Sequence, residues 1–161
     1  MDAGACSPSR RVAVVEGLVT PERRMIMVLG GVGDWDFLPD FGDDRLCYSG
    51  MDVLYLMSVS QWSHDAAVAL EAWTGEPPVD PDAEVAETTT MRLTGGRLYL
   101  TMMGVPTAAD ELPLDGAGSY HVRVTASGRA ELLRLQAEVS PPPWLSGVER
   151  FRVSVWPDFR N

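Results

Sequence analysis

Apolar and polar positions alternate with a period of two along most of this chain, the pattern of strands that bury one face. Residues 119–126 show it plainly: Tyr120, Val122, Val124 and Ala126 share one parity, and His121, Arg123 and Thr125 the other. Residues 150–156 repeat it, with Phe151, Val153 and Val155 opposite Arg152 and Ser154. Residues 85–93 hold Val85, Glu87, Thr89, Met91 and Leu93 in phase. Gly95-Gly96 follows as a turn signal and residues 97–103 as a strand, so the pair predicts a hairpin. Residues 11–20 are valine-rich and end at Pro21, and residues 23–29 form a short apolar run stopped by Gly30-Gly31. Residues 51–62 are apolar on both parities, which predicts a strand buried on both faces. The alanines of residues 66–73 admit a short helix, but the alternation of Val68, Leu70 and Ala72 and the neighbouring strands favour a strand.

Gly and Pro punctuate these runs. Residues 76–82 (EPPVDPD) suit neither a helix nor a central strand. Residues 129–139 carry the best helical pattern, with Leu132, Leu133 and Leu135, before Pro141-Pro142-Pro143 ends it; helix and strand both stand for residues 130–139. The sum is an all-β expectation: an antiparallel β-sandwich of two packed sheets, about eight to nine strands, little helix, and one wet face per sheet. A single domain over residues 1–161 is expected, with residues 1–10 as a loosely ordered tail.

Composition narrows the function. The chain has 161 residues, with 45% hydrophobic and 22% charged, ordinary for a soluble globular protein. Its formal net charge is −10, and every basic residue is arginine. Such an acidic chain is a poor binder of nucleic acid or anionic lipid, since both need phosphates neutralised. The acidity is local: residues 25–91 hold Arg45 alone against 13 acids. Two clusters carry much of it: Asp34, Asp36, Asp40, Asp43 and Asp44, and then Glu76, Asp80, Asp82, Glu84 and Glu87. Cys6 and Cys47 are too few for a disulfide framework, and no apolar leader or membrane-length run occurs, so cytoplasmic residence with free thiols is expected.

Residues 33–44 (GDWDFLPDFGDD) are the sharpest local feature. Aromatic anchors set among carboxylates suit a protein-binding surface: rings supply contact area and acids steer a basic partner. The expected partner-binding set is therefore Asp34, Trp35, Asp36, Phe37, Asp40, Phe41, Asp43 and Asp44. A plainer reading has the rings plug one end of the sandwich while the aspartates cap turns. A third has Asp34, Asp36 and Asp40 bind calcium, but EF-hand spacing is absent. No catalytic constellation emerges. Ser63, His64 and Asp65 are consecutive, whereas triad members meet through the fold. His64 and His121, with the two cysteines, lack metal spacing, and the glycines of residues 30–33 precede no phosphate-loop lysine. No cofactor is expected. Arg123 and Arg152 share the polar parity of their strands, so neighbouring strands would gather them with Arg129 and Arg150 on one sheet face, to meet acids or form a cationic patch. Trp144 follows three prolines and is expected to plug the space between sheets.

The later part of the chain carries a set of short motifs: VALEAW at 68–73, GEPPVD at 75–80, AEVAE at 83–87, GGRLYL at 95–100, GSYHVRVTASGR at 118–129 and ERFRVSVWP at 149–157. The set resembles the competence-protein-J-like group of small bacterial β proteins, whose named member inhibits a DNA-entry nuclease. The resemblance implies a β-sandwich and an inhibitory or immunity-type binding role, and it does not reach the Asp-rich segment. The leading expectation is a non-enzymatic inhibitor or immunity-type module that engages a basic partner, such as a nuclease or toxin, through its acidic central segment. The alternative is a small-ligand or carbohydrate-binding sandwich with Trp35, Trp73 or Trp144 as a stacking platform.

Overall fold

The computed structural model describes residues 7–31, 38–102, 105–106 and 111–159. Eleven strands and one α-helix lie within them: β1 (Arg11–Val19), β2 (Met25–Leu29), β3 (Cys47–Gly50), β4 (Val53–Met57), β5 (Asp65–Trp73), β6 (Val85–Leu93), β7 (Arg97–Met102), β8 (Val105–Pro106), β9 (Leu112–Pro113), β10 (Gly118–Ser127), α1 (Arg129–Glu138) and β11 (Ser146–Pro157). The fold is all-β in two sheets, with more strands than the alternation predicts because β3, β8 and β9 are too short to show a period. The first sheet has the order β1-β5-β11-β10-β6. The second runs β3-β4-β2-β7-β8, with β9 also on β7.

One buried cluster draws on both sheets: Val68, Leu70, Val122, Val124, Val153 and Val155 from the first, Ile26, Val28, Leu54, Leu56, Leu98 and Leu100 from the second. Alternation therefore chose the inward residues correctly. β5 is a strand as expected, and all five residues of β4 are buried. The other parity of β4 (Val53, Tyr55 and Met57) joins Leu29 and Tyr48 in a separate cluster on the outer face of the second sheet, against which Phe41 packs. The expectation of one wet face per sheet fails there, because chain folds over that face.

Two pairings also differ from expectation. β6 and β7 form no hairpin: β6 pairs with β10 in the first sheet and β7 with β2 in the second. The turn between them is an arch from sheet to sheet, held by Asp52. Its buried carboxylate accepts from the Thr94 backbone N–H at 2.8 Å and from the Thr94 hydroxyl. Nor is the first sheet wholly antiparallel, since β11 runs parallel to β5. The proline-rich residues 74–84 cause this. They carry the chain from the end of β5 back across the outer face to the start of β6, as Arg123 and Arg152 contacts to Glu76, Pro77 and Asp80 show. β5 and β6 thus point the same way. β11 antiparallels β10, which antiparallels β6, so it enters beside β5 in parallel.

Residues 129–138 form a helix, resolving the ambiguity in that run. Its residues are strong helix formers, and Arg134 bonds Glu131 at 2.6 Å and Glu138 at 2.5 Å on the exposed side. Gly128, with φ 71°, lets the chain turn sharply from β10 into the helix. Of its three leucines only Leu132 is buried.

Candidate partner-binding surface

Asp34, Trp35, Asp36 and Phe37 lie outside the described residues. The rest of the expected set lies over the outer face of the second sheet. A 3-10 turn covers Phe41–Asp43, and the Asp40 carboxylate caps it by accepting from the Gly42 N–H at 3.0 Å. Half-buried Phe41 meets Tyr48 and Tyr55 edge-on, with centroids 5.2 and 5.7 Å away. This anchoring matches the plainer reading for Phe41 and Asp40. Yet Asp40, Asp43 and Asp44 remain exposed. Their one cationic neighbour among the described residues is Arg24, 3.9 Å from Asp44, whose side chain is 89% exposed. The next residues are fastened to the first sheet: Glu87 accepts from Arg45 Nε at 2.7 Å and from the Leu46 N–H at 2.9 Å, and the same carboxylate holds the Arg45 pKa up.

The second acidic cluster has a different fate. Glu76 pairs with Arg123 at 2.5 Å, Asp80 with Arg152 at 3.1 Å and Glu87 with Arg45 at 2.5 Å. Glu84 accepts from the first backbone N–H groups of α1, at Arg129 and Ala130. Arg123 and Arg152 do gather on one face, where the acids clamp the proline-rich strap down. Arg152 also meets buried Glu71 at 2.9 Å, and Arg123 lies over the Trp156 ring. Asp82 of this cluster stays exposed, but the other four are engaged within the chain.

Sequence reasoning missed a buried polar centre at the same end of the sheets. Glu149, fully buried on β11, accepts from the Ser58 hydroxyl at 2.6 Å, the Val59 N–H at 3.0 Å, His64 Nε2 at 3.2 Å and Arg129 Nη1 at 3.1 Å. His64, 1% exposed, donates from Nδ1 to the Trp62 carbonyl at 3.1 Å. An acceptor on each ring nitrogen favours the protonated imidazole. Burial alone pushes its pKa down, but Glu149 and the Trp62 carbonyl outweigh burial and hold it above 6.5. Burial likewise pushes Glu149 up, and its four donors outweigh that and hold it below 4.5. Beside this centre the Ser60 hydroxyl bonds Gln136 of the helix. A serine, a histidine and a glutamate meet here. The carboxylate binds both partners, the Ser58 hydroxyl stands 3.5 Å from His64 Nε2, and all three are sealed from solvent. The signal was available: Glu149 shares the inward parity of Phe151, Val153 and Val155. A carboxylate on the buried phase of a strand demands partners.

The remaining aromatics differ from expectation in one case. Trp144 is no plug. It is 58% exposed and donates from Nε1 to Asp65 at 3.0 Å. That bond, first among several, holds the Asp65 carboxyl below its usual range. Trp73 is half-buried and lines a 280 Å³ cavity beneath the strap. A larger hollow of 590 Å³ opens between β1 and the strap, with Ala67, Ala69 and Arg150 in its lining and no tryptophan. Among the described residues no three metal-binding side chains converge, and no helix is long and apolar enough to cross a membrane.

With two sheets, a crossover strap and one helix in place, the likeness of the whole can be judged. Its fold is similar to that of ComJ. That protein, the inhibitor of the DNA degrading activity of NucA from Bacillus subtilis, matches over 94% of this chain and all of its own, with a TM-score of 0.61 and 7% identity. The product of crocagin biosynthetic gene J matches over 94% of this chain and 99% of its own, with a TM-score of 0.58 and 17% identity. No family model matches the sequence, and no curated protein matches it. The ComJ likeness spans the N-terminal third, which the sequence motifs did not reach.

Proposed function

We propose that this protein is a non-enzymatic, inhibitor-type binding module, a single β-sandwich domain that occludes a basic partner such as a nuclease. The observation that carries this reading is the contrast between the two acidic clusters. In one, four of five acids are engaged by arginines or the start of α1, while Asp40, Asp43 and Asp44 stand exposed around an anchored Phe41 with Arg24 as their one cationic neighbour among the described residues. An anchored ring among exposed acids offers a partner contact area at the centre and electrostatic steering at the rim. The fold likeness to ComJ, described as a nuclease inhibitor, supports the same reading, as does a serine–histidine–glutamate centre closed to substrate.

The test begins with a pull-down from source-cell lysate at low and high salt. The association rate of the captured protein is then measured for wild type and for a variant with Asp34, Asp36, Asp43 and Asp44 replaced by Asn. Steering predicts a low-salt association rate at least about tenfold slower for the variant, and convergence of the two at high salt. A variant that associates as fast as wild type at low salt sinks the proposal.

A further inference from the structure

The two edges of the first sheet are treated differently. β6 is covered: its residues bond the second sheet through Ser49 to Thr89 and the Thr90 carbonyl, through the Asp52 N–H to the Arg92 carbonyl, and through Glu87 to Leu46. β1 pairs with β5 alone among the described residues, and none of them covers its other edge with a strand. It is nine residues long, holds no proline, and runs in regular register from Ala13 to Val19. Inward it buries Val15 and Val19. Outward it shows Val12, Val14 and Leu18, which are 52%, 41% and 55% exposed, around the single acid Glu16. Leu18 also rims the 590 Å³ hollow floored by Ala67 and Ala69, so weakly polar surface continues from the edge onto the face. A long, largely apolar edge without a proline is a template for another strand.

We propose that β1 pairs antiparallel with β1 of a second copy of this chain, joining two five-stranded sheets edge to edge. Charge selects this occupant and this direction. Arg11 is held by Glu71 of β5 at 3.3 Å, which leaves Arg10 as the basic side chain at the start of the strand and Glu16 as the acid in its second half. Antiparallel pairing of two copies sets Arg10 of each toward Glu16 of the other, whereas parallel pairing opposes like charges. The edge is also nearly neutral in a chain of net charge −10 whose acids concentrate in residues 25–91, so two copies meet here with little local repulsion. Pairing brings the exposed valines and leucine of both copies onto one surface, where each partner shields the other's from water. This inference is independent of the proposed inhibitory role.

The experiment is analytical ultracentrifugation of the full chain up to about 200 µM, a range that captures micromolar association. Wild type is compared with Val14→Lys/Leu18→Lys and with Thr88→Lys, a control at the other edge. All three sites are solvent-exposed, and a thermal melt confirms that each variant folds. Wild type is expected to dimerise with concentration and more tightly at higher salt, as repulsion between acidic copies is screened. The double variant weakens association at least about tenfold, consistent with lysines at an edge, and Thr88→Lys leaves it unchanged. A wild type monomeric throughout, or a folded double variant that associates like wild type, overturns the proposal.

Discussion

Replacing Glu149 by Gln tests the buried centre most directly. The carboxylate is fully buried and accepts four hydrogen bonds, two of them from His64 and Arg129. Glutamine keeps the shape but removes the charge and turns one acceptor into a donor facing donors. Breaking a buried pair by removing one partner costs about 3–5 kcal/mol, against a total stability of about 5–15 kcal/mol. At about 2–4 °C per kcal/mol for a chain of this size, the melting temperature falls by about 6–20 °C. Urea unfolding between pH 4 and pH 9 reads the charge contribution separately. His64 has its folded pKa raised above 6.5, so its contribution is complete below that value and is lost as pH rises through the folded pKa. Glu149 has its folded pKa lowered below 4.5, so its contribution is present above that value and is lost as pH falls through the folded pKa. This pair therefore favours greatest stability between 4.5 and 6.5, with a decline on the alkaline side that His64→Gln flattens. A Glu149→Gln cost below about 1 kcal/mol, the worth of an ordinary hydrogen bond, would refute the reasoning. So would an alkaline decline that survives in His64→Gln.

Other predictions rest on separate sites. Gly128→Ala places a Cβ 1.8 Å from the Val148 carbonyl oxygen at a φ of 71°, and a loss above about 3 kcal/mol is expected by chemical denaturation. Asp52→Ala strands the Thr94 N–H and hydroxyl at the arch between the sheets and is expected to cost about 2–4 kcal/mol, while Asp52→Asn, which keeps an acceptor and suits the φ of 58°, costs less. Burial, first among its causes, pushes the Cys47 thiol up to about 12, so in a Cys6→Ser variant a thiol reagent is expected to react only as the chain unfolds. Rapid labelling of the native variant would contradict that.

The exposed acids beside Phe41 lie over the outer face of the second sheet. Its outer face carries Tyr48, Tyr55 and Met57 under Phe41, with Met25, Met27 and Tyr99 packed alongside. The proposed inhibitory role gains from such a layout. The fold supplies a rigid apolar platform, and the acids stand on a short turn fixed to it at Asp40, Phe41 and Glu87.

Period-two alternation was enough to place β1, β5, β10 and β11 and to choose their buried residues, because each strand's inward face reports directly on water exclusion. It left residues 130–139 open between helix and strand, and only the structure makes them α1. Charge counting found the acidic stretch for the same local reason. Pairing was beyond it. The Gly95-Gly96 turn has the composition of a hairpin, and only the carboxylate of Asp52 and the partners β10 and β2 make it an arch between sheets. The direction of β11 depends on where the proline-rich strap delivers β6, a path set by arginines some forty to seventy residues away. The same holds for the charges. The sequence shows two acidic clusters of like composition. Tertiary contacts neutralise one with Arg45, Arg123 and Arg152 and leave Asp40, Asp43 and Asp44 facing water, because hydrogen bonds and ion pairs act through space.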